Sequence, residues 1–240
     1  MTLVSACQDS AEQSSFISNI PLEALTAFFV ADFAALEAPA AVLRDTDPRY
    51  LAQQFEWSLG GSSTTFESYS LANARVEYAH AAGLTGSGQL IAIVDTGFRL
   101  DHDEFVGKSI TLANAPYAPG VDDHGTSVAS VAAGAANSGE IIGVAPGADL
   151  LLGSFDTLAS MAAATQQAVT LGAIVQNNSW GYDLPATNSS FQSVFGGSSG
   201  TSYLNALKLL AQNAVIVFSA SNNPAAASAD IMTALPVLVP

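Results

Sequence analysis

Apolar residues fall in short runs separated by glycine-rich turns, and from residue 89 onward these runs alternate with stretches of helical character. Residues 89–94 (QLIAIV) are apolar almost without interruption, the pattern of a parallel strand buried on both faces. Similar runs at residues 141–144, 149–153 (DLLLG), 173–176 and 214–218 (AVIVF) predict further strands. Helices are expected between them at residues 125–136, 157–171 and 200–213. Alternation at this spacing predicts an α/β fold with a mainly parallel sheet, in which functional side chains gather at the carboxyl ends of the strands.

Upstream the pattern is different. Residues 21–37 (PLEALTAFFVADFAALE) predict a helix, residues 45–48 break it, and residues 58–65 (SLGGSSTT) read as a flexible link. A short helix is expected over residues 70–84, ending in the turn Thr85-Gly86-Ser87-Gly88. The chain therefore divides into an N-terminal extension, residues 1–70, and a main domain, residues 71–240.

With 240 residues, 49% of them hydrophobic and 11% charged, the chain can bury a sizeable core. Six Lys and Arg against 21 Asp and Glu give a formal net charge of -15, which repels phosphate backbones and argues against a nucleic-acid partner. No apolar run reaches the roughly 20 residues of a membrane-spanning helix. Cys7 is the single cysteine, so no intramolecular disulfide can form. Its setting, Val4-Ser5-Ala6-Cys7, resembles the lipobox of bacterial lipoproteins, which would make lipidation a route to the membrane; an incidental or buried thiol is the alternative.

Two residues stand where chemistry is expected. Asp95 follows the run IAIV directly and opens the turn Asp95-Thr96-Gly97, so its carboxylate belongs at the carboxyl end of a buried strand. His124 precedes the helix with the small residues VASVAAG. Taken singly, Asp95 could be a turn cap and His124 a helix-start residue with no catalytic part.

Together the two segments resemble the subtilases, a family of serine proteases. IAIVDTGFRLDH is similar to the family's strand, Asp-[Ser/Thr]-Gly and following His, and HGTSVASVAAG is similar to its His-Gly-Thr motif. The lead-in AHAAGLTGSGQ and the later IIGVAPGADLLLG resemble the family as well, and the likeness runs from about Leu71 to Asn223. It implies a three-layer subtilisin-like fold and serine endopeptidase activity on polypeptides bound in extended form. Asp95 would orient His124, and His124 would serve as general base and then general acid. Asn177-Asn178-Ser179-Trp180-Gly181 resembles the segment that pairs with substrate as an added strand, so Ser179, Trp180 and Gly181 would line the cleft. Asn222, in Ser219-Ala220-Ser221-Asn222-Asn223, takes the place of the family's oxyanion donor, with Ser221 where the family has Gly.

The family's nucleophile motif, Gly-Thr-Ser-x-Ala-x-Pro, does not occur between Asn222 and Pro240. Gly125-Thr126-Ser127 belongs to the His motif, and residues 196–200 (GGSSG) have no His after them, so that stretch reads as a flexible loop. The expectation is a fragment of a catalytic domain, its sheet incomplete at the C-terminus and inactive alone. Low Lys content and the acidic balance resemble passenger domains of Gram-negative subtilase autotransporters, which implies a secreted or cell-surface setting and a C-terminal barrel as a second membrane route.

Two other readings stand beside this one. One is a non-catalytic binding or structural module on the same scaffold. The other is metal-dependent hydrolysis through Asp101-His102-Asp103 and Asp122-Asp123-His124. No cofactor is implied, and although Glu104 stands near a ligand position of the family's calcium sites, no clear metal motif is present.

Overall fold

The computed structural model describes residues 33–58, 65–114, 123–137, 141–182, 184–185 and 187–219. Cys7 and Asn222 lie outside them, as does most of the helix expected over residues 21–37.

A five-stranded, wholly parallel sheet organises the main domain, in the order β4-β5-β3-β6-β7. Its strands are β3 (Leu90–Asp95), β4 (Ile110–Leu112), β5 (Asp149–Ser154), β6 (Val175–Asn178) and β7 (Val215–Phe218). β3 is central because both its faces are apolar: Ile91 and Ile93 point to one side, Ala92 and Val94 to the other, and all four are buried.

Helix α5 (His124–Ala133) covers the first face, where Ala129 and Ala133 pack with Ile91, Ile93, Leu150 and Leu152. Helices α6 (Leu158–Leu171), α7 (Asn188–Phe195) and α8 (Ser198–Leu210) lie on the second. There Met161, Ala164, Phe195, Tyr203 and Leu207 pack under Val94. The result is the expected three-layer α/β arrangement. Because the helices around β3 lie on opposite faces, its carboxyl end opens as the crevice of the sheet.

Ahead of the sheet come α1 (Phe33–Thr46), α2 (Pro48–Ala52), an antiparallel hairpin of β1 (Gln54–Ser58) and β2 (Thr65–Tyr69), and the short helices α3 (Ser70–Asn73) and α4 (Val76–Ala81). The break expected at residues 45–48 falls at Asp47, which caps α2 with its carboxylate on the Arg49 N–H at 2.9 Å. The single helix expected over residues 70–84 is instead two, divided at Arg75, whose φ of 55° no helix continues through. Tyr50, Leu71, Val76 and Ile142 form a small apolar cluster joining this region to the main domain. His80 bridges the two: Nδ1 meets the Tyr50 hydroxyl at 2.7 Å and Nε2 the Val144 carbonyl at 2.9 Å.

Residues 141–144, expected as a strand, are not one. The N–H groups at the end of this stretch and of the next residue are taken by the end of α5: Gly143 donates to the Gly134 carbonyl, and Val144 and Ala145 donate to those of Val131 and Ala132. A helix end has carbonyls without intrahelical partners, and this segment satisfies them. Residues 196–200 likewise are no flexible loop, since they form the α7–α8 junction. A Cβ on Gly200 would come within 2.3 Å of the Phe195 carbonyl oxygen, so glycine is what permits the close turn. Both β4 and α7 were absent from the pattern of expected elements.

Two outcomes test this architecture. A Cβ at Gly143 would lie 2.3 Å from the Gly134 nitrogen, so Gly143→Ala should cost about 1–3 kcal/mol in urea unfolding by forcing the capping segment off α5. The side chain of Arg49 holds the Asp47 carboxyl below its usual range, outweighing partial burial. A depressed folded pKa contributes stability above the unfolded value near 4, lost as pH falls through the folded one. Asp47→Asn should therefore lower stability by about 1 kcal/mol at neutral pH, and the difference from the unchanged chain should disappear in acid.

Candidate active site

Asp95 is the last residue of β3 and is completely buried. A carboxylate there is tolerable only if its charge is met by donors. Its Oδ1 accepts from the Thr96 N–H at 2.7 Å and from His124 Nδ1 at 2.8 Å. An ionised carboxylate can only accept, so Nδ1 carries the proton and the tautomer of His124 is set. The imidazole is 49% exposed whereas Asp95 is 0% exposed, so the pair runs from the core to the surface.

The contact between them depends on how α5 is docked. His124 is its first residue, and the preceding Asp123 makes no side-chain cap. The unpaired N–H groups of the first turn are met instead by the turn after Asp95: Gly125 donates to the Thr96 carbonyl at 2.6 Å and Thr126 to the Gly97 carbonyl at 3.1 Å. Thr126 is buried, and its hydroxyl works in both directions, accepting from the Arg99 N–H at 2.7 Å and donating to the Gly97 carbonyl at 3.2 Å. Gly97 has φ 68°, which turns the chain back toward the helix. Only glycine fits at 125, since a Cβ would meet Phe98 Cε1 and the Thr96 oxygen at 2.7 Å each. The first turn of α5 is thus seated on the backbone of the turn that follows Asp95. Gly97, Phe98 and Thr126 carry this geometry; the two motifs contain them, but nothing in the sequence assigned them the task.

The residues expected to line a cleft lie one strand over, past the end of β6. Ser179 is partly buried, accepts from the Asn177 side-chain amide at 2.8 Å, and borders an apolar groove of about 650 Å³ between α5 and β6. Gly181 is exposed. Trp180 turns the opposite way: it is 8% exposed, with its ring stacked on Phe155 at 5.2 Å and edge-on to Phe218 at 5.9 Å. Its indole N–H donates to the Val94 carbonyl at 2.8 Å. Burial pushes the nearby Tyr182 and Tyr203 hydroxyls up, so both rings beside Trp180 stay neutral.

Of the positions considered as metal ligands, Asp122 lies outside the described residues, and Asp101 and His102 have other engagements. Asp101 is exposed and pairs with Arg99, and His102 Nδ1 caps the Glu104 N–H. Among the described residues no group of three or more His, Cys, Asp or Glu side chains is placed to hold a metal ion. None of the described helices is long and apolar enough to cross a membrane.

The chain is similar to known proteins over much of its length. A model of the subtilase family matches residues 86–238. The calcium-dependent protease of Nostoc sp. is 33% identical over 195 residues, 71% of this chain and 28% of that protein. The extracellular serine protease of Serratia marcescens is 34% identical over 113 residues, 44% of this chain and 11% of that protein. Among solved structures, the MycP3 protease from the type VII (ESX-3) secretion system is 25% identical with a TM-score of 0.46, covering 73% of this chain and 46% of its own. The self-cleaved protease domain of PatA is 31% identical with a TM-score of 0.44, covering 58% of this chain and 52% of its own. The chain spans about half the length of these solved relatives and less than a third of the two protein relatives named.

The Thr126 hydroxyl gives a test of the docking. Thr126→Val keeps the shape of the side chain and leaves the Arg99 N–H without its acceptor, so chemical denaturation should show a loss of about 1–3 kcal/mol. An unchanged midpoint would mean that the backbone bonds alone seat the helix.

Proposed function

Because the chain belongs to the subtilase family, we propose that it carries the aspartate and histidine of a serine endopeptidase triad. The observation that carries this reading is the bond from His124 Nδ1 to the wholly buried Asp95. Asp95 holds the imidazole in one tautomer and stabilises the imidazolium; His124 takes the proton of the attacking serine hydroxyl and returns it to the leaving amine. Asn222 donates to the tetrahedral oxyanion, and the backbone of Ser179-Trp180-Gly181 pairs with an extended polypeptide substrate.

The nucleophile motif does not stand among residues 222–240, and this reading assigns to the chain the aspartate and histidine of the triad. The setting we infer is secretion to the surface of a Gram-negative bacterium, with lipid at Cys7 or a downstream barrel as the attachment. Likeness to an extracellular protease supports secretion.

Fluorophosphonate labelling of a chain extended through a downstream Gly-Thr-Ser-x-Ala-x-Pro tests the triad. Labelling should depend on His124 and vanish in His124→Ala; label retained in that variant would sink the reading. In the same extended chain Asp95→Asn should lower kcat about 10⁴-fold, and Asn222→Ala about 10²- to 10³-fold.

A further inference from the structure

We propose that Trp180 is a positioning residue for Asp95, acting through its indole N–H and not as a wall of the cleft; this rests on the triad reading of Asp95 and His124. The backbone pairing of β3 with β6 runs through Ile91↔Val175, Ala92↔Gln176 and Ile93↔Asn177 and goes no further. One residue on, the Val94 carbonyl accepts from Trp180 Nε1 at 2.8 Å. A side chain thus supplies the next bond after the ladder stops, immediately before Asp95.

That carbonyl shares a rigid peptide plane with the Asp95 N–H. On the other flank Asp95 is held in register with Ser154 of β5. The plane is therefore fixed from both sides, and its tilt sets where the Asp95 carboxylate meets His124. The Trp180 carbonyl also accepts from Ser219 Oγ at 3.1 Å, and Ser219 donates its N–H to the Asn178 carbonyl at 3.0 Å. One residue consequently ties together the strand carrying Asp95, the segment 179–181 and the chain leading from β7 toward Asn222.

Its ring is enclosed by Phe155, Tyr182, Tyr203 and Phe218, which fixes the direction of the N–H. A phenyl ring at this position would keep much of that apolar contact and leave the buried Val94 carbonyl without its donor. Removing the donor and loosening the packing are therefore separable.

The test compares Trp180→Phe with Phe155→Leu in the 240-residue chain. Phe155→Leu disturbs the same aromatic cluster and keeps the indole N–H. Proton NMR reads the His124 Nδ1–H resonance. It should move or broaden in Trp180→Phe and stay in place in Phe155→Leu, with urea unfolding used to compare the stability each variant loses. An unchanged resonance in Trp180→Phe, or equal effects from both variants, would overturn the proposal.

Should Trp180→Phe fail to fold, the unmutated chain still decides. The Trp180 Nε1–H should exchange with solvent far more slowly than free indole, and exchange at the free rate would be fatal. Asp95→Asn, which should abolish the His124 resonance, tests the pair itself independently of Trp180. In the extended protease, Trp180→Phe should lower kcat by roughly ten- to a hundredfold with KM little changed. A raised KM at constant kcat would make Trp180 a cleft wall instead.

Discussion

A carboxylate with no solvent exposure costs several kcal/mol unless donors surround it, and Asp95 is such a group at the end of the central strand. Much of the main domain can be traced to how that charge is met. The Thr96 N–H and His124 Nδ1 bind it directly, and the start of α5 is pressed against the same turn. In the proposed triad, catalytic geometry and charge compensation are one arrangement: the imidazole that satisfies the buried aspartate is thereby held in the tautomer and direction that a general base requires.

Helix α5 transmits this constraint along its length. Its first turn borrows the Thr96 and Gly97 carbonyls, and its last lends carbonyls to residues 143–145. Val144 is one of them and Ile142 precedes them, and there His80 and Tyr50 anchor the N-terminal region. Ten residues of α-helix span about 15 Å, so the N-terminal region braces the end of α5 remote from His124. Among the described residues its contacts lie with the frame of the site.

Opposite α5, the helices α6 and α8 build a core around Trp180, and that core reaches the site through one indole N–H. The carboxyl end of β3 at Val94 and Asp95 therefore receives support from both layers. Small residues make this closeness feasible. Gly153 lies so near Ala164 that a Cβ would meet it at 2.5 Å, and Gly125 leaves the same narrow allowance beside Phe98.

Local patterns carried much of this in advance. Apolar runs predicted the strands realised as β3, β5, β6 and β7, most directly for β3 and β5, because a strand covered on both faces has no polar alternation to obscure it. Asp95 and His124 were legible because each sits inside a motif whose neighbours have their own steric duties, as Gly125 and Thr126 demonstrate. Residues 141–144 misled for a physical reason: an apolar run states that a segment is buried, not whether its N–H groups go to a strand or to a helix end. Trp180 was ambiguous in the same way, since an aromatic beside a site suits a cleft and a core equally until the direction of its ring is known. The sequence by itself thus determined the layers, the strand that ends in Asp95 and the residue types of the site. Which donor reaches which acceptor across 29 residues to His124 or 86 to Trp180 was decided only by tertiary structure, because hydrogen bonds depend on direction and local patterns do not encode it.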